Sequence, residues 1–112
     1  MPTVERVSIY DVGDVPQGTG ILDHVVGEAP TMPSASAAWH VVIVAKQMCQ
    51  PFISVTDGAT SKRWPMESKR IGELHVHEEQ FPVTPALTYD IELDPFHGTV
   101  VQVDQLIICE VT

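Results

Sequence analysis

The chain is poor in positive charge. Only six of its 112 residues are Lys or Arg, against 15 Asp and Glu, and the formal net charge at pH 7 is -9. Proteins that bind nucleic acids carry basic stripes that neutralise phosphates. The charge balance therefore argues against a nucleic-acid partner.

Long hydrophobic runs are also missing. The longest, Val41–Ala45, is far short of the ~20 apolar residues that a membrane span needs. The first ten residues, MPTVERVSIY, have neither the basic region nor the apolar region of a secretory signal. We therefore expect no signal peptide and no membrane partner.

Cysteines and catalytic motifs are scarce as well. Cys49 and Cys109 are the only cysteines, and their spacing matches no zinc motif. We expect both to be free thiols. Cys49 could meet a histidine in space, although a buried structural thiol is the more ordinary role. No G-x-S-x-G elbow, P-loop or G-x-G-x-x-G is present, so we expect neither an enzyme nor a bound cofactor.

What the chain does have is a period of two. In LTYDIEL, Leu87, Tyr89, Ile91 and Leu93 alternate with polar residues, which is typical of a half-buried strand. Seven to nine such strands, with turn signals about every ten residues, predict an all-β fold. We expect residues 1–112 to form one β-sandwich or jelly roll, with a small β-barrel as the alternative.

Three local features refine this prediction. Asp57-Gly58 lies between two β-prone runs and predicts a hairpin. The apolar phase of the last strand shifts around Asp104 and Gln105 and predicts a bulge or a bend. Residues 11–20 and 27–37 are rich in Gly, Pro and Ser and predict two long, arm-like loops. In the second loop the apolar Met32 stands between Pro30 and Pro33, on a stiff segment suited to docking.

The stretch GELHVHEEQF places His75 and His77 two residues apart on one face of a strand, and such a pair can converge on a metal. The spacing of Gly72, His75 and His77 resembles the start of the cupin metal motif. His97 would be its third histidine. The positions at which the cupin motif has its Glu are occupied in this chain by Phe81 and Pro82. We therefore expect no metal and two solvent-facing histidines, with a cupin-like site of His75, His77 and His97 as the alternative.

Positive charge is concentrated in one short window of the chain. Four of the six basic residues surround a Trp-Pro pair, and an aromatic residue beside arginine is typical of an interface anchor. Trp64 is the better candidate for an exposed aromatic, because Trp39 lies in an apolar strand. The predicted interface comprises Lys62, Arg63, Trp64, Pro65, Lys69 and Arg70, together with Pro30, Met32 and Pro33.

In its length, β-rich pattern and arm-like loops the chain resembles the small jelly-roll cement, or decoration, proteins of tailed phages. That resemblance implies a non-enzymatic assembly protein in the virion, which binds a larger protein surface such as the major capsid protein and forms homo-oligomers. A carbohydrate-binding module is an alternative, because the ending GTVVQVDQLIICEV is similar to the last strand of sandwich-type modules. A cytoplasmic location is the alternative to the virion.

Overall fold

The fold is seen in a computed structural model that describes residues 4–27, 37–96 and 98–111. These residues form eight strands and a single 3₁₀ turn, Ile21–Asp23. The strands are β1 Val4–Pro16, β2 Ala37–Ala45, β3 Cys49–Thr56, β4 Ser61–Pro65, β5 Glu67–Ile71, β6 Leu74–Val83, β7 Thr88–Pro95 and β8 Val100–Val111.

The strands form two antiparallel sheets. One has five strands in the order β1-β8-β2-β6-β5, and the other has three in the order β4-β3-β7. Neither sheet, as far as the described residues go, closes on itself. The predicted all-β sandwich is thus confirmed, and the alternative of a small barrel is not adopted.

The core lies between the two sheets and follows the period of two. On β2, which is the central strand of its sheet, Trp39, Val41 and Ile43 point inward and are buried. From the facing sheet, Ile91 and Leu93 of β7 are buried against them. The alternation predicted for LTYDIEL is therefore confirmed, because the inward face of β7 supplies its apolar residues to the core.

Two local predictions are also confirmed. β3 and β4 form a hairpin in which the Asp57 Oδ1 accepts hydrogen bonds from the backbone N–H groups of Ala59 and Thr60, both 2.8 Å. These bonds lower the pKa of Asp57, because they favour its charged form. In β8, Val44 lies opposite Gln105 while Ala45 lies opposite Val103. Asp104 is therefore the extra residue of a bulge.

The prediction of an arm over residues 11–20 is wrong. Residues 11–16 continue β1, and Gly20 forms an antiparallel bridge with Glu92 of β7. The residues that follow, Ile21 and Leu22, are buried in the core. The segment therefore covers the free edge of β7 at Glu92, where the bridge occupies backbone groups that could otherwise pair with another chain. Most of the second arm, with Pro30, Met32 and Pro33, lies outside the described residues.

This cover depends on a close approach at Gly20. A Cβ atom there would overlap the carboxylate of Asp90. The same carboxylate accepts hydrogen bonds from the N–H groups of Leu22, at 3.3 Å, and Ile91, at 2.8 Å.

We expect Gly20→Ala to lower the free energy of unfolding by about 2 kcal/mol, because the Asp90 carboxylate must move and lose its hydrogen bonds to Leu22 and Ile91. Denaturant unfolding of Gly20→Ala, Asp90→Ala and the double variant measures this. The Gly20→Ala effect should shrink in the Asp90→Ala background. Equal losses in both backgrounds would mean that the contact is not what makes Gly20 necessary.

Candidate functional site

The predicted basic interface lies on two neighbouring strands. Lys62, Arg63, Trp64 and Pro65 belong to β4, an edge strand of the three-stranded sheet. Lys69 and Arg70 belong to β5, an edge strand of the five-stranded sheet. Every residue of the two strands except Trp64 is exposed. We call this surface, residues 61–65 and 67–71, the basic edge.

Trp64 is not the exposed anchor that we expected. Its side chain is half-buried and points inward, and its ring meets that of Phe81 edge-on with 6.1 Å between the centroids. Phe81 in turn contacts Trp39 and Tyr89. The reason is strand phase: Trp64 lies opposite Ile53, a fully buried residue of β3, and directly opposed residues share a face.

Two of the four cations on the basic edge are paired within the chain. Arg63 lies over the ring of Phe52 at 4.4 Å and reaches Glu92 at 3.2 Å and Asp94 at 3.5 Å. Lys69 lies 3.3 Å from Glu78. Among the described residues, Lys62 and Arg70 form no ion pair with a carboxylate. These two therefore carry the positive charge that is left for a partner.

The prediction of solvent-facing histidines is wrong for His77. β6 pairs with β2 without a register shift, and His77 lies opposite Ile43 on the inner face of the sheet. Its side chain is only 2% exposed. His75 has the same phase and is half-buried, whereas Val76 points to the outer face. The alternative third ligand, His97, lies outside the described residues.

His77 joins two other side chains into a continuous chain of contacts. Its Nδ1 lies 2.6 Å from the hydroxyl of Ser68 on β5, and its Nε2 lies 3.5 Å from the thiol of Cys49 on β3. Cys49 is itself 3% exposed. The three residues come from both sheets, so only the packing of the sandwich brings them together.

The electrostatics of this group follow from burial. Loss of hydration lowers the pKa of His77 from 6.5 to about 4, with a smaller repulsion from His75. Burial also raises the pKa of the Cys49 thiol to about 11. Both groups are therefore neutral at pH 7, as a thiol and an imidazole in contact.

A cavity of about 290 Å³ opens beside the group. It is large enough for a small ligand, although it is at the lower end of the usual size. Its wall is partly cationic and partly apolar, since Arg70 lines it together with Met48 and Phe96. Lys69 also lines it, but its ammonium is paired with Glu78. Met48 and Phe96 are both more than half exposed, so the apolar part of the wall is accessible to solvent.

A second, wider groove of about 400 Å³ lies along β1 and β8 and is lined mainly by acidic and backbone groups around Lys46. Its lining includes no histidine or thiol, whereas the lining of the smaller cavity includes Cys49 and His77. The smaller cavity is therefore the better candidate for a reactive site. Among the described residues no three His, Cys, Asp or Glu side chains are grouped closely enough to hold a metal.

The sequence singles out two members of this group, Cys49 and His77, but neither Ser68 nor the geometry. It allows Cys49 to meet a histidine in space, and it places His77 on the opposite face. The usable signal was the other end of the same strand: Phe81 and Val83 are buried, and counting back by twos from them places His77 inward.

Comparison with protein-family models, with curated proteins and with solved structures finds no match for this chain. In the described part of the chain no helix is long and apolar enough to cross a membrane. Both cysteines are free, as predicted. The function is therefore inferred from the surfaces and side chains described above.

Proposed function

We propose that this protein is a non-enzymatic assembly protein that docks on a larger protein surface through its basic edge. The observation that carries the proposal is the position of β4 and β5: consecutive strands, each at the edge of its sheet, and exposed along almost their full length. An exposed edge strand offers unpaired backbone groups to another chain.

Charge supports the same surface. The chain has a net charge of -9, yet four of its six basic residues lie on the basic edge. A cationic patch on an acidic molecule orients encounters with an acidic partner and favours one docking pose over others. Because Arg63 and Lys69 are already paired internally, Lys62 and Arg70 supply most of this steering.

The partner class that we propose is the outer surface of a viral capsid, with the major capsid protein as the subunit contacted and the virion as the location. Support comes from the compact sandwich architecture that cement proteins share. Homo-oligomers would form by the same edge-strand pairing.

The carbohydrate-binding alternative has less support, because Trp39 is buried and Trp64 is half-buried. The cupin-like alternative has less support too, because both ring nitrogens of His77 are already in contact, with Ser68 and with Cys49.

The test is cosedimentation of the chain with assembled shells of the capsid protein encoded beside it, at low and high salt. Lys62→Glu combined with Arg70→Glu should weaken binding at least about tenfold, or about 1.4 kcal/mol. The salt dependence of binding should also become shallower in this variant, because exposed charges are screened by salt.

The matched control is Arg6→Glu with Lys46→Glu, which changes the two remaining basic residues and shifts the net charge equally. This control should bind as the wild type does, within about twofold. Equal weakening in both double variants would show that net charge matters rather than the basic edge. A wild-type chain that fails to sediment with the shells, or that has no capsid gene beside it, would contradict the capsid assignment.

A further inference from the structure

The contacts of Cys49 are those of an activated nucleophile. A thiol that touches an imidazole, with the imidazole oriented by a third polar group, is the arrangement that nucleophilic catalysis uses. Here the distances are 3.5 Å from Cys49 Sγ to His77 Nε2 and 2.6 Å from His77 Nδ1 to Ser68 Oγ. The docking function proposed above uses neither the thiol nor His77.

We infer that Cys49 is a covalent acylation site, at which His77 acts as the general base and the acyl donor is a small ester or thioester with an anionic group. One acyl group is transferred to the protein. The site shares Ser68 and Arg70 with the basic edge, so acylation is tested on the free chain, without a docking partner.

To act as a base toward Cys49, His77 must carry its proton on Nδ1, and the Ser68 hydroxyl is able to accept that proton's hydrogen bond. With its proton on Nδ1, the ring donates to the Ser68 hydroxyl and leaves Nε2 to accept the S–H of Cys49. With the proton on Nε2 instead, the ring would have no lone pair directed at the thiol. Ser68 therefore has a positioning role, because its hydroxyl accepts the bond that keeps Nε2 basic.

Burial makes the base necessary. Because the pKa of Cys49 is raised to about 11, almost no free thiolate exists at pH 7, and thiolates are the reactive form of cysteine. His77 is buried and stays neutral above about pH 4. The same low pKa makes it a weak base, so its Nε2 takes the thiol proton only as the S–C bond forms.

The cavity wall indicates which acyl donor fits. Arg70 of β5 lies opposite His75 and lines the cavity, and a cation there favours a carboxylate or phosphate on the donor. Lys69 also lines it, but its ammonium is paired with Glu78. Met48 and Phe96 line it too and provide apolar contact for the rest of a small molecule. A donor with one anionic group and a small apolar body matches both parts.

The step balances without an oxidant or a metal. The sulfur of Cys49 attacks the carbonyl carbon as its proton passes to His77 Nε2, and an S–C bond forms. The tetrahedral intermediate collapses, the bond from carbon to the leaving oxygen or sulfur breaks, and His77 returns the proton to the leaving group. The products are an S-acyl cysteine and a free alcohol or thiol.

The probes that test this are acetylsalicylate, an anionic aryl ester, and its neutral methyl ester. Mass spectrometry of peptides gives the acetylation rates of Cys49 and Cys109 in the same folded chain. We expect Cys49 to react at least about tenfold faster than Cys109 with acetylsalicylate. The preference should shrink with the methyl ester, and Arg70→Gln should have the same effect.

The pH profile separates the assisted reaction from ordinary thiolate chemistry. Attack through free thiolate rises tenfold per pH unit below the thiol pKa, whereas attack assisted by neutral His77 should be nearly level from pH 6 to 9. His77→Gln should slow Cys49 at least about tenfold and leave Cys109 unchanged. Cys109→Ala is the control that must leave the Cys49 rate unaltered.

Three results would overturn the inference. They are no acetylation of Cys49, a Cys49 rate that climbs tenfold per pH unit, and a folded His77→Gln variant that reacts as fast as the wild type. If His77→Gln does not fold, the wild-type pH profile decides, because it needs no variant.

Discussion

Phe81→Ala is expected to lower the free energy of unfolding by about 4 kcal/mol, which is the cost typical of removing a buried aromatic side chain. Phe81 is 3% exposed. It is the central member of a cluster of four aromatic rings, its own included. Its ring centroid is 5.8 Å from that of Tyr89, 6.1 Å from that of Trp64 and 6.3 Å from that of Trp39. Such aromatic pairs stabilise the folded state beyond what the burial of their apolar area alone contributes.

Unfolding in guanidinium at pH 7 measures the loss of unfolding free energy, and two further variants serve as comparisons. Phe96→Ala makes the same chemical change at a residue that is 58% exposed, and it should cost less than about 0.5 kcal/mol. Trp64→Ala should fall between the two, because its ring is half-buried. A Phe81→Ala loss below about 1 kcal/mol would mean that β6 has the opposite phase and that Phe81 is not in the core.

The Trp64 result also bears on docking. A loss of binding in Trp64→Ala would mix a weakened core with a lost contact. For this reason the charge-reversal variants at Lys62 and Arg70, which are both exposed, are the cleaner probes of the basic edge.

Acid is expected to destabilise the protein through His77 by up to about 3 kcal/mol between pH 6.5 and 4. The folded state holds the pKa of His77 at about 4, below its ordinary 6.5. Above pH 6.5 the imidazole is neutral in both states, so the folded state keeps its full stability. As the pH falls through this window, the unfolded chain takes up a proton that the folded chain does not, and stability is lost at about 1.4 kcal/mol per unit.

The groups around His77 set the background for this measurement. His75 on the same strand repels its charged form, Ser68 and Cys49 touch the ring, and Lys69 and Arg70 line the same cavity. Asp90, on the other sheet, has its pKa raised by burial. Its contribution therefore has the opposite sign, since the folded state binds that proton more tightly as the pH falls.

The difference between wild type and His77→Gln isolates the histidine, because Asp90 contributes equally to both. Unfolding measured at pH 7.5 and 4.5 should show a clear acid loss in the wild type and much less of it in His77→Gln. His75→Gln is the matched control and should retain most of the loss, since burial is the larger cause of the His77 shift. Identical acid losses in all three proteins would show that His77 is not buried.

Strand content and turn chemistry were readable from the sequence because they depend on neighbours in the chain. The alternation of Tyr89, Ile91 and Leu93, the Asp57-Gly58 turn and the bulge at Asp104 all involve residues within a few positions of one another. Period-two patterns and side-chain-capped turns are local physics. The same holds for the charge balance, which is a sum over residues.

Which face of a strand turns inward was harder to predict than the strand itself. Val7 and Ile9 share a face, as their spacing requires, but that face is the outer one and both are more than half exposed. Leu74 and Val76, taken alone, predict that His77 points outward. The buried pair that determines its phase, Phe81 and Val83, lies at the other end of β6.

By itself, then, the sequence determined an acidic all-β domain, the places of its turns and one short basic window. Only the tertiary structure decided what those residues do together. It placed β4 and β5 at the edges of two different sheets, and it paired Gly20 with Glu92 at the free edge of β7. It also brought Cys49 of one sheet against His77 of the other. The physical reason is that sheet order and sheet packing depend on contacts between residues far apart in the chain. The entropy cost of closing the loops between those residues, and the area that their contacts bury, cannot be read from a local sequence pattern.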